Sequence, residues 1–470
     1  MERRAAIIVI LGYIFIALIG AFLLLMPFSR NGPLSFVDAL FTSTSALCVT
    51  GLIVKDTPVF FTFFGKIVIL ALIQIGGIGY MTIAGIFLHR LTRSLILPEM
   101  ISQGFPELKP GFAFYFGRRV ILYTLFFEII GILLLVPSFG KYFPSNLAIK
   151  HSIFQSISAF CNAGLSTFSD SLIRFRGDVY VNLVIIFLIV VGGLGFFVVH
   201  EISEYLKHVL GRLLSIKSKG KFNVEVEGGK VKRPFFKFST HTKSVLLWTF
   251  ILIITGFFLI FLLEFNGNYA RLKLGEKLLF SLFQSVTPRT CGFNTVDIAL
   301  LKPATQVLII LLMFIGGSPG GTAGGVKTNT FFVIFIWVFH YLKGYKNVYL
   351  FKRKIPDSAI EKAFIILILA VAFNYLAVLL ILTMDSGVLS LHTPLEVVFE
   401  VISAFGTVGL STGSKLFANV SLSADFNVLS KSIIILTMLT GKVGVLTFAT
   451  YMVEKTKVEI GYTEDRYIVG

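Results

Sequence analysis

Of 470 residues, 55% are hydrophobic and only 14% are charged, and the mean hydropathy is +0.86; a water-soluble chain of this length needs more charge to cover its surface, so the composition excludes a soluble globular protein. The net charge of +17 would suggest nucleic acid in a soluble protein, but in a membrane chain Lys and Arg collect in cytoplasmic loops, and no nucleic-acid partner is expected. Cys48, Cys161 and Cys291 are too few and too scattered for a disulfide framework, and without a CxxC pair they make no zinc site.

A spanning helix takes roughly 20 apolar residues, and long apolar segments are predicted at about 5–27, 62–90, 113–137, 179–208, 241–264, 301–345, 358–384 and 428–453. The first follows Arg3 and Arg4; it exceeds a usual signal-peptide core and no small-residue cleavage pattern follows it, so it reads as a retained helix. Segment 301–345 is long enough to span with an interruption. Between the members of each successive pair lie segments too short or too polar to cross, at about 34–57, 145–168, 275–297 and 393–413.

These four short segments resemble one another: FTSTSALCVTGLIV (41–54), FQSISAFCNAGLST (154–167), FQSVTPRTCGFNT (283–295) and FEVISAFGTVGLST (399–412). Each begins with Phe and reaches a glycine (Gly51, Gly164, Gly292 or Gly409) ten residues later, or nine in the third copy. A second echo follows in each next helix: GGIG (76–79), GGLG (192–195), GGSPGG (316–321) and GKVG (441–444). Two signatures in the same order, four times over, predict an internal fourfold repeat.

The expected organisation is all-helical and membrane-integral. Four helix–pore-loop–helix repeats, with eight transmembrane helices and four re-entrant pore helices, surround one pseudo-fourfold pore. Repeat 1 takes 1–95, repeat 2 takes 96–210, a cytoplasmic loop takes 211–240, repeat 3 takes 241–350, repeat 4 takes 351–455 and a cytoplasmic tail takes 456–470. The inter-repeat connections are basic: five Lys/Arg against two acids in 89–119, ten against four in 200–244 and six against two in 340–362. That places them and both termini in the cytoplasm. Segment 217–237 is the longest polar loop, suited either to a cytosolic partner or to anionic lipid.

Non-helical backbone at membrane depth must be shielded from lipid and line something wet. Four such segments around an axis leave a central hole. A helix ending there points its carbonyl dipole inward, which favours a cation, and the backbone beyond it can offer carbonyl oxygens to a dehydrated ion. The candidate ion-binding stretches are Cys48, Val49, Thr50 and Gly51; Cys161, Asn162, Ala163 and Gly164; Arg289, Thr290, Cys291 and Gly292; and Gly406, Thr407, Val408 and Gly409. One matched glycine per copy supplies the backbone freedom that such a turn requires. No acid lies just before the glycines, so a monovalent cation is expected. Arg289 is expected to pair at the rim, and the cysteine side chains to pack behind the backbone.

Residues Gly316, Gly317, Ser318, Pro319, Gly320, Gly321, Gly324 and Gly325 belong to GGSPGGTAGG (316–325), which interrupts an apolar helix and is a candidate gate. It imitates a nucleotide-binding loop, but Lys327-Thr328 is displaced by one residue and follows a helix rather than a strand. Lys442 replaces the second glycine of the fourth echo. At that depth it is read either as functional or as half of a buried salt bridge.

The four filter segments, the GGSPGGTAGGVKTNT stretch and the Lys442 helix together resemble the Trk/Ktr/HKT superfamily of potassium transporters over essentially the whole chain. The short N-terminus and the ending EDRYIVG look most like the Ktr-type membrane subunits. The resemblance implies a potassium channel-like uptake protein of the cell inner membrane, not an enzyme, with four repeats in one chain. It implies K+ at Thr50, Gly51, Ala163, Gly164, Cys291, Gly292, Val408 and Gly409, and a gate at 316–325. It further implies a homodimer in the lipid bilayer, docked on a cytosolic ring of nucleotide-binding regulatory subunits. Na+ remains open as an activator or co-ion. The family usually carries Arg where Lys442 stands; Lys keeps the charge and loses the planar fork. In plant relatives Ser at the first filter position goes with sodium permeation, so Gly51 argues for potassium. A sodium-permeable protein of the same fold is the first alternative. A secondary transporter would show paired broken helices in inverted repeats, and a membrane enzyme would need clustered His, Asp or Glu, whereas the seven histidines are scattered.

Overall fold

The computed structural model describes residues 2–79, 110–217, 226–227, 230–231, 238–267, 269–270 and 272–447. Most of the basic connection 89–119, nearly all of the long polar loop 217–237, the end of the last apolar segment and the tail 456–470 lie outside the described residues. The described chain is helical apart from two short antiparallel hairpins, Val226–Glu227 with Lys230–Val231 and Tyr349–Leu350 with Arg353–Lys354.

The helices recur in threes. A long apolar helix comes first: α1 (Glu2–Leu25), α4 (Pro110–Phe139), α8 (Thr240–Glu264) and α12 (Asp357–Met384). A shorter one follows: α2 (Phe36–Leu47), α5 (Ser145–Phe160), α9 (Leu274–Val286) and α13 (Pro394–Gly406). The third is α3 (Phe63–Ile78), α6 (Val179–Gly193), α10 (Pro303–Phe314) or α14 (Val428–Val443), with α7 (Phe196–Lys217) and α11 (Thr328–Leu342) continuing the second and third repeats. Among the described residues, four helices are long and apolar enough to cross a membrane alone, and α6 with α7 passes together despite a bend of 105°. Side chains fix many of the starts: Ser35 caps α2, Thr62 α3, Asp178 α6, Ser239 α8 and Asn427 α14. Thr393 and Glu396 form a reciprocal capping box on α13.

The repeats close on themselves. In each, the first long helix packs on its own short helix. The third helix packs on the short helix of the next repeat: α3 on α5, α6 on α9, α10 on α13, and α14 back on α2. An ion pair between Lys431 Nζ and Asp38 Oδ1 (2.8 Å) crosses that last, ring-closing contact.

The breaks in the third helices differ from expectation. Hydropathy predicts an interruption only in 301–345, yet all four echoes end a helix. Gly79 (φ +84°), Gly195 (φ +90°) and Gly444 (φ +98°) occupy backbone conformations that side chains rarely adopt. The bend of 105° falls at Leu194–Gly195 inside the apolar segment 179–208. Apolar residues continue across each break, so composition alone does not register it. The leading glycines of three echoes have another cause. A Cβ on Gly76, Gly192 or Gly441 would fall 1.8–1.9 Å from the carbonyl oxygen of Leu47, Phe160 or Phe405, at the end of a short helix. The third helix therefore lies directly against the point where its own short helix stops.

Candidate functional site

At the end of each short helix the backbone alternates in handedness. After Cys48 and Cys161, both right-handed, Val49 (φ +59°) and Asn162 (φ +60°) are left-handed, as are Thr290 (φ +75°) and Thr407 (φ +48°) in the other copies. Two residues further on, Gly51, Gly164, Gly292 and Gly409 again have positive φ, from +64° to +94°. Such alternation turns successive carbonyls toward the same side, the geometry a backbone-lined cation path needs.

The four segments meet in a cycle. A Cβ on Gly51 would fall 2.4 Å from Ala163 O; on Gly164, 2.2 Å from Cys291 O; on Gly292, 2.0 Å from Val408 O; and on Gly409, 2.1 Å from Thr50 O. Each glycine thus faces the carbonyl before the next repeat's glycine, and the fourth returns to the first. A side chain at any one of them would strike the ring. The structure brings together the four glycines and the carbonyls of Thr50, Ala163, Cys291 and Val408 at one locus. Beyond the glycines a cavity of about 410 Å³ opens, lined among others by Asp56, Asp170, Asp297 and Lys415.

A hydroxyl holds each segment, and this feature was not singled out from the sequence. Ser45 Oγ donates to Leu52 O (2.7 Å) and accepts from the Gly51 N–H (3.1 Å). Ser158 Oγ donates to Leu165 O (2.7 Å), and Thr287 Oγ1 to Phe293 O (2.5 Å). Ser403 Oγ accepts from the Gly409 N–H (3.1 Å). The signal is present in the aligned copies, since each hydroxyl stands four residues after the leading Phe: Phe41, Phe154, Phe283 and Phe399.

The interrupted helix of the third repeat crosses to its neighbours. Gly316 N–H bonds Val326 O (2.9 Å), closing the loop at its base. On the second-repeat side, Ser318 N–H bonds Gly193 O (3.1 Å), Phe196 N–H bonds Gly320 O (3.1 Å), and Thr322 Oγ1 donates to Gly192 O (3.3 Å). On the fourth-repeat side, Gly325 N–H bonds Gly441 O (3.1 Å), and Lys442 Nζ donates to Thr322 O (2.5 Å). Lys327 Nζ donates to the next carbonyl, Ala323 O. Both lysines therefore anchor one short stretch of loop, a role for Lys327 that the sequence, where it stands as a displaced nucleotide-motif residue, does not signal. A Cβ on Gly324 would meet Thr407 Oγ1 at 2.4 Å, so the loop abuts the start of the fourth candidate ion-binding stretch, at the end opposite the cavity.

Arg289 is not at the rim. It is buried, its Nη1 donates to Thr249 O on α8 (3.5 Å), and its Nε has no hydrogen-bond partner among the described residues. Gly193 and Gly317 border the same small void. All three cysteines are buried; Cys161 Sγ lies 3.7 Å from Glu128 Oε1 and 3.9 Å from Gln74 Oε1. Gly406 is the last residue of α13 rather than part of the extended stretch.

On the cavity side, a charged network pins the loop that follows Gly409. His392 bridges Glu396 Oε2 (3.2 Å) and Asp425 Oδ2 (2.8 Å). Asp425 also accepts from Ser414 Oγ and the Lys415 N–H, and Lys415 Nζ reaches Glu396 (3.3 Å). Burial alone would push both carboxyls up. The Thr393 N–H and Lys415 nonetheless hold Glu396 below the usual carboxylate range, and Ser414 and His392 do the same for Asp425.

The chain matches the family described as TrkH, cation transport protein, over residues 3–459. It is 35% identical over 468 residues to the Ktr system potassium uptake protein B of Bacillus subtilis (strain 168), covering 98% of this chain and 95% of that protein. It is 32% identical over 465 residues to the potassium/sodium uptake protein NtpJ of Enterococcus hirae, covering 96% and 93%. The fold is similar to that of the crystal structure of the potassium transporter TrkH from Vibrio parahaemolyticus, with a TM-score of 0.71 at 18% identity, covering 96% of this chain and 85% of the other.

Proposed function

The chain belongs to the TrkH family of cation transport proteins, and from that premise we propose that it carries potassium into the cell through a selectivity filter formed by the four glycine segments. It is a membrane transporter and not an enzyme. The observation that carries the filter reading is the cyclic contact of each glycine with the next repeat's carbonyl. Eight spans and four pore loops around one axis, in the four repeats set out above, are the proposed architecture, supported by the ring-closing packing of third helices on short helices. K+ is bound by the carbonyls of Thr50, Ala163, Cys291 and Val408 with those of the four glycines. The test is ion flux into liposomes holding the purified protein: uptake of K+ well above that of Na+ is expected, and equal uptake would remove the potassium reading. The sodium alternative keeps one specific support, the likeness to a potassium/sodium uptake protein.

Loop 316–325 acts as the gate, a role supported by its tethers to the second and fourth repeats at the start of the fourth filter segment. The basic inter-repeat connections support cytoplasmic termini in the inner membrane and docking on a regulatory nucleotide-binding ring, with the chain itself a homodimer.

The hydroxyls behind the filter give a sharper check. Ser158→Ala leaves Leu165 O without its donor, a loss of about 1–3 kcal/mol. The preference for K+ over Na+ is expected to fall severalfold in paired flux measurements. Ser158→Thr, which repeats the chemistry of Thr287, should stay near wild type.

A further inference from the structure

Glu128 is a carboxylate that the fold does not require. It lies within the long apolar helix α4 and is 3% exposed. Its main-chain position is a structural station: Ser156 Oγ of the short helix α5 donates to Glu128 O (2.7 Å). The same bond occurs in two other repeats, from Ser43 Oγ to Ala17 O (2.7 Å) and from Ser285 Oγ to Ile253 O (2.6 Å). Gly20, Gly131 and Gly256, each three residues later, make room for those hydroxyls. Ala and Ile therefore serve the station equally well, and the carboxylate of the second repeat is an addition to it.

The side chain is placed behind the second filter segment. Gln74 Nε2 of α3 donates to Glu128 Oε2 (3.0 Å), and Cys161 Sγ lies 3.7 Å from Oε1. These hydrogen-bonding neighbours are neutral. Each can donate to one oxygen, which suits a carboxylate that only accepts. Cys161 opens the stretch whose Ala163 carbonyl belongs to the glycine ring. In its ionised form the carboxylate acts through a poorly polarisable setting, where charge is little screened.

We propose that Glu128 is an electrostatic determinant of potassium affinity, a carboxylate behind the second filter segment whose ionised form raises cation occupancy of the ring; this rests on the filter reading above. The Glu128→Gln variant keeps the shape and an accepting oxygen for Gln74 Nε2, turns the other position into a donor facing Cys161 Sγ, and removes the charge. In liposome flux assays its KM for K+ is expected to rise about tenfold with the maximal rate retained, and Glu128→Asp should restore most of the affinity. A second variant adds charge at the equivalent station: Ala17→Glu should lower the KM severalfold. The proposal is overturned if Glu128→Gln keeps the wild-type KM, or loses maximal rate at unchanged KM, or if Ala17→Glu leaves the KM where it was. Failure of the filter reading has a separate signature, since selectivity would then be unchanged in Gly51→Ser and Gly409→Ala whatever Glu128 does.

Discussion

Replacing Gly51 by Ser is expected to cut the preference for K+ over Na+ by tenfold or more, roughly the consequence of losing 1.4 kcal/mol of discrimination. Two independent costs act there. The residue sits at φ +94°, and a Cβ would fall 2.4 Å from Ala163 O. Holding a non-glycine residue in such a conformation costs on the order of 1–3 kcal/mol, and the carbonyl must also retreat. Ala163 O is a ring oxygen, so its retreat widens the path and favours an ion that keeps part of its own water. The cycle extends the expectation to Gly164, Gly292 and Gly409, where the approaches are 2.2, 2.0 and 2.1 Å. All four Ser variants should shift selectivity in the same direction in paired K+ and Na+ flux measurements. Gly275, near the start of α9, has nothing within 4 Å of an added Cβ, and Gly275→Ala should be silent. A silent Gly292→Ser beside a strong Gly51→Ser would break the ring reading.

The glycine ring was legible in the sequence because it is written four times. Segments 34–57, 145–168 and 393–413 bracket α2, α5 and α13, and 275–297 takes all but the first residue of α9, since each copy combines a polar-edged helix with a turn glycine nine or ten residues after its Phe. The hydroxyls at Ser45, Ser158, Thr287 and Ser403 were equally repeated, but Ser and Thr are common at helix ends. Only the fold reveals that each grips the backbone of its own glycine segment. The helix breaks at Gly79, Gly195 and Gly444 lay hidden inside apolar runs, because hydropathy averages over side chains and carries no record of φ. Arg289 was misplaced for a related reason. Its charge suggests water, whereas its buried guanidinium reaches Thr249 O on α8, a contact between residues 40 apart in sequence that no local pattern encodes. The echo glycines stand out in the sequence without their cause, which in Gly76, Gly192 and Gly441 is a main-chain approach to the end of a short helix.

Replacing Lys442 by Ala should raise potassium flux and weaken its dependence on the cytosolic partner. Lys442 Nζ donates to Thr322 O in the loop proposed as the gate. A hydrogen bond from a charged donor contributes about 1.5–3 kcal/mol, so its loss shifts a closed-to-open equilibrium by roughly tenfold or more. Removing the ammonium also removes positive charge from beside the proposed ion path, which acts in the same direction. Lys327 moderates the outcome. It holds the adjacent Ala323 O, so one tether remains in Lys442→Ala, and the double variant with Lys327→Ala should conduct more than either single one. Lys442→Arg keeps charge and donor and should stay close to wild type. The competing reading, a buried salt bridge, finds no carboxylate paired with Lys442 among the described residues; its one hydrogen-bond acceptor there is a loop carbonyl. Flux through single channels or liposomes separates the two readings. If Lys442→Ala abolishes transport while the purified protein keeps its wild-type melting behaviour, Lys442 is not a barrier but a strut that holds the loop in its conducting shape.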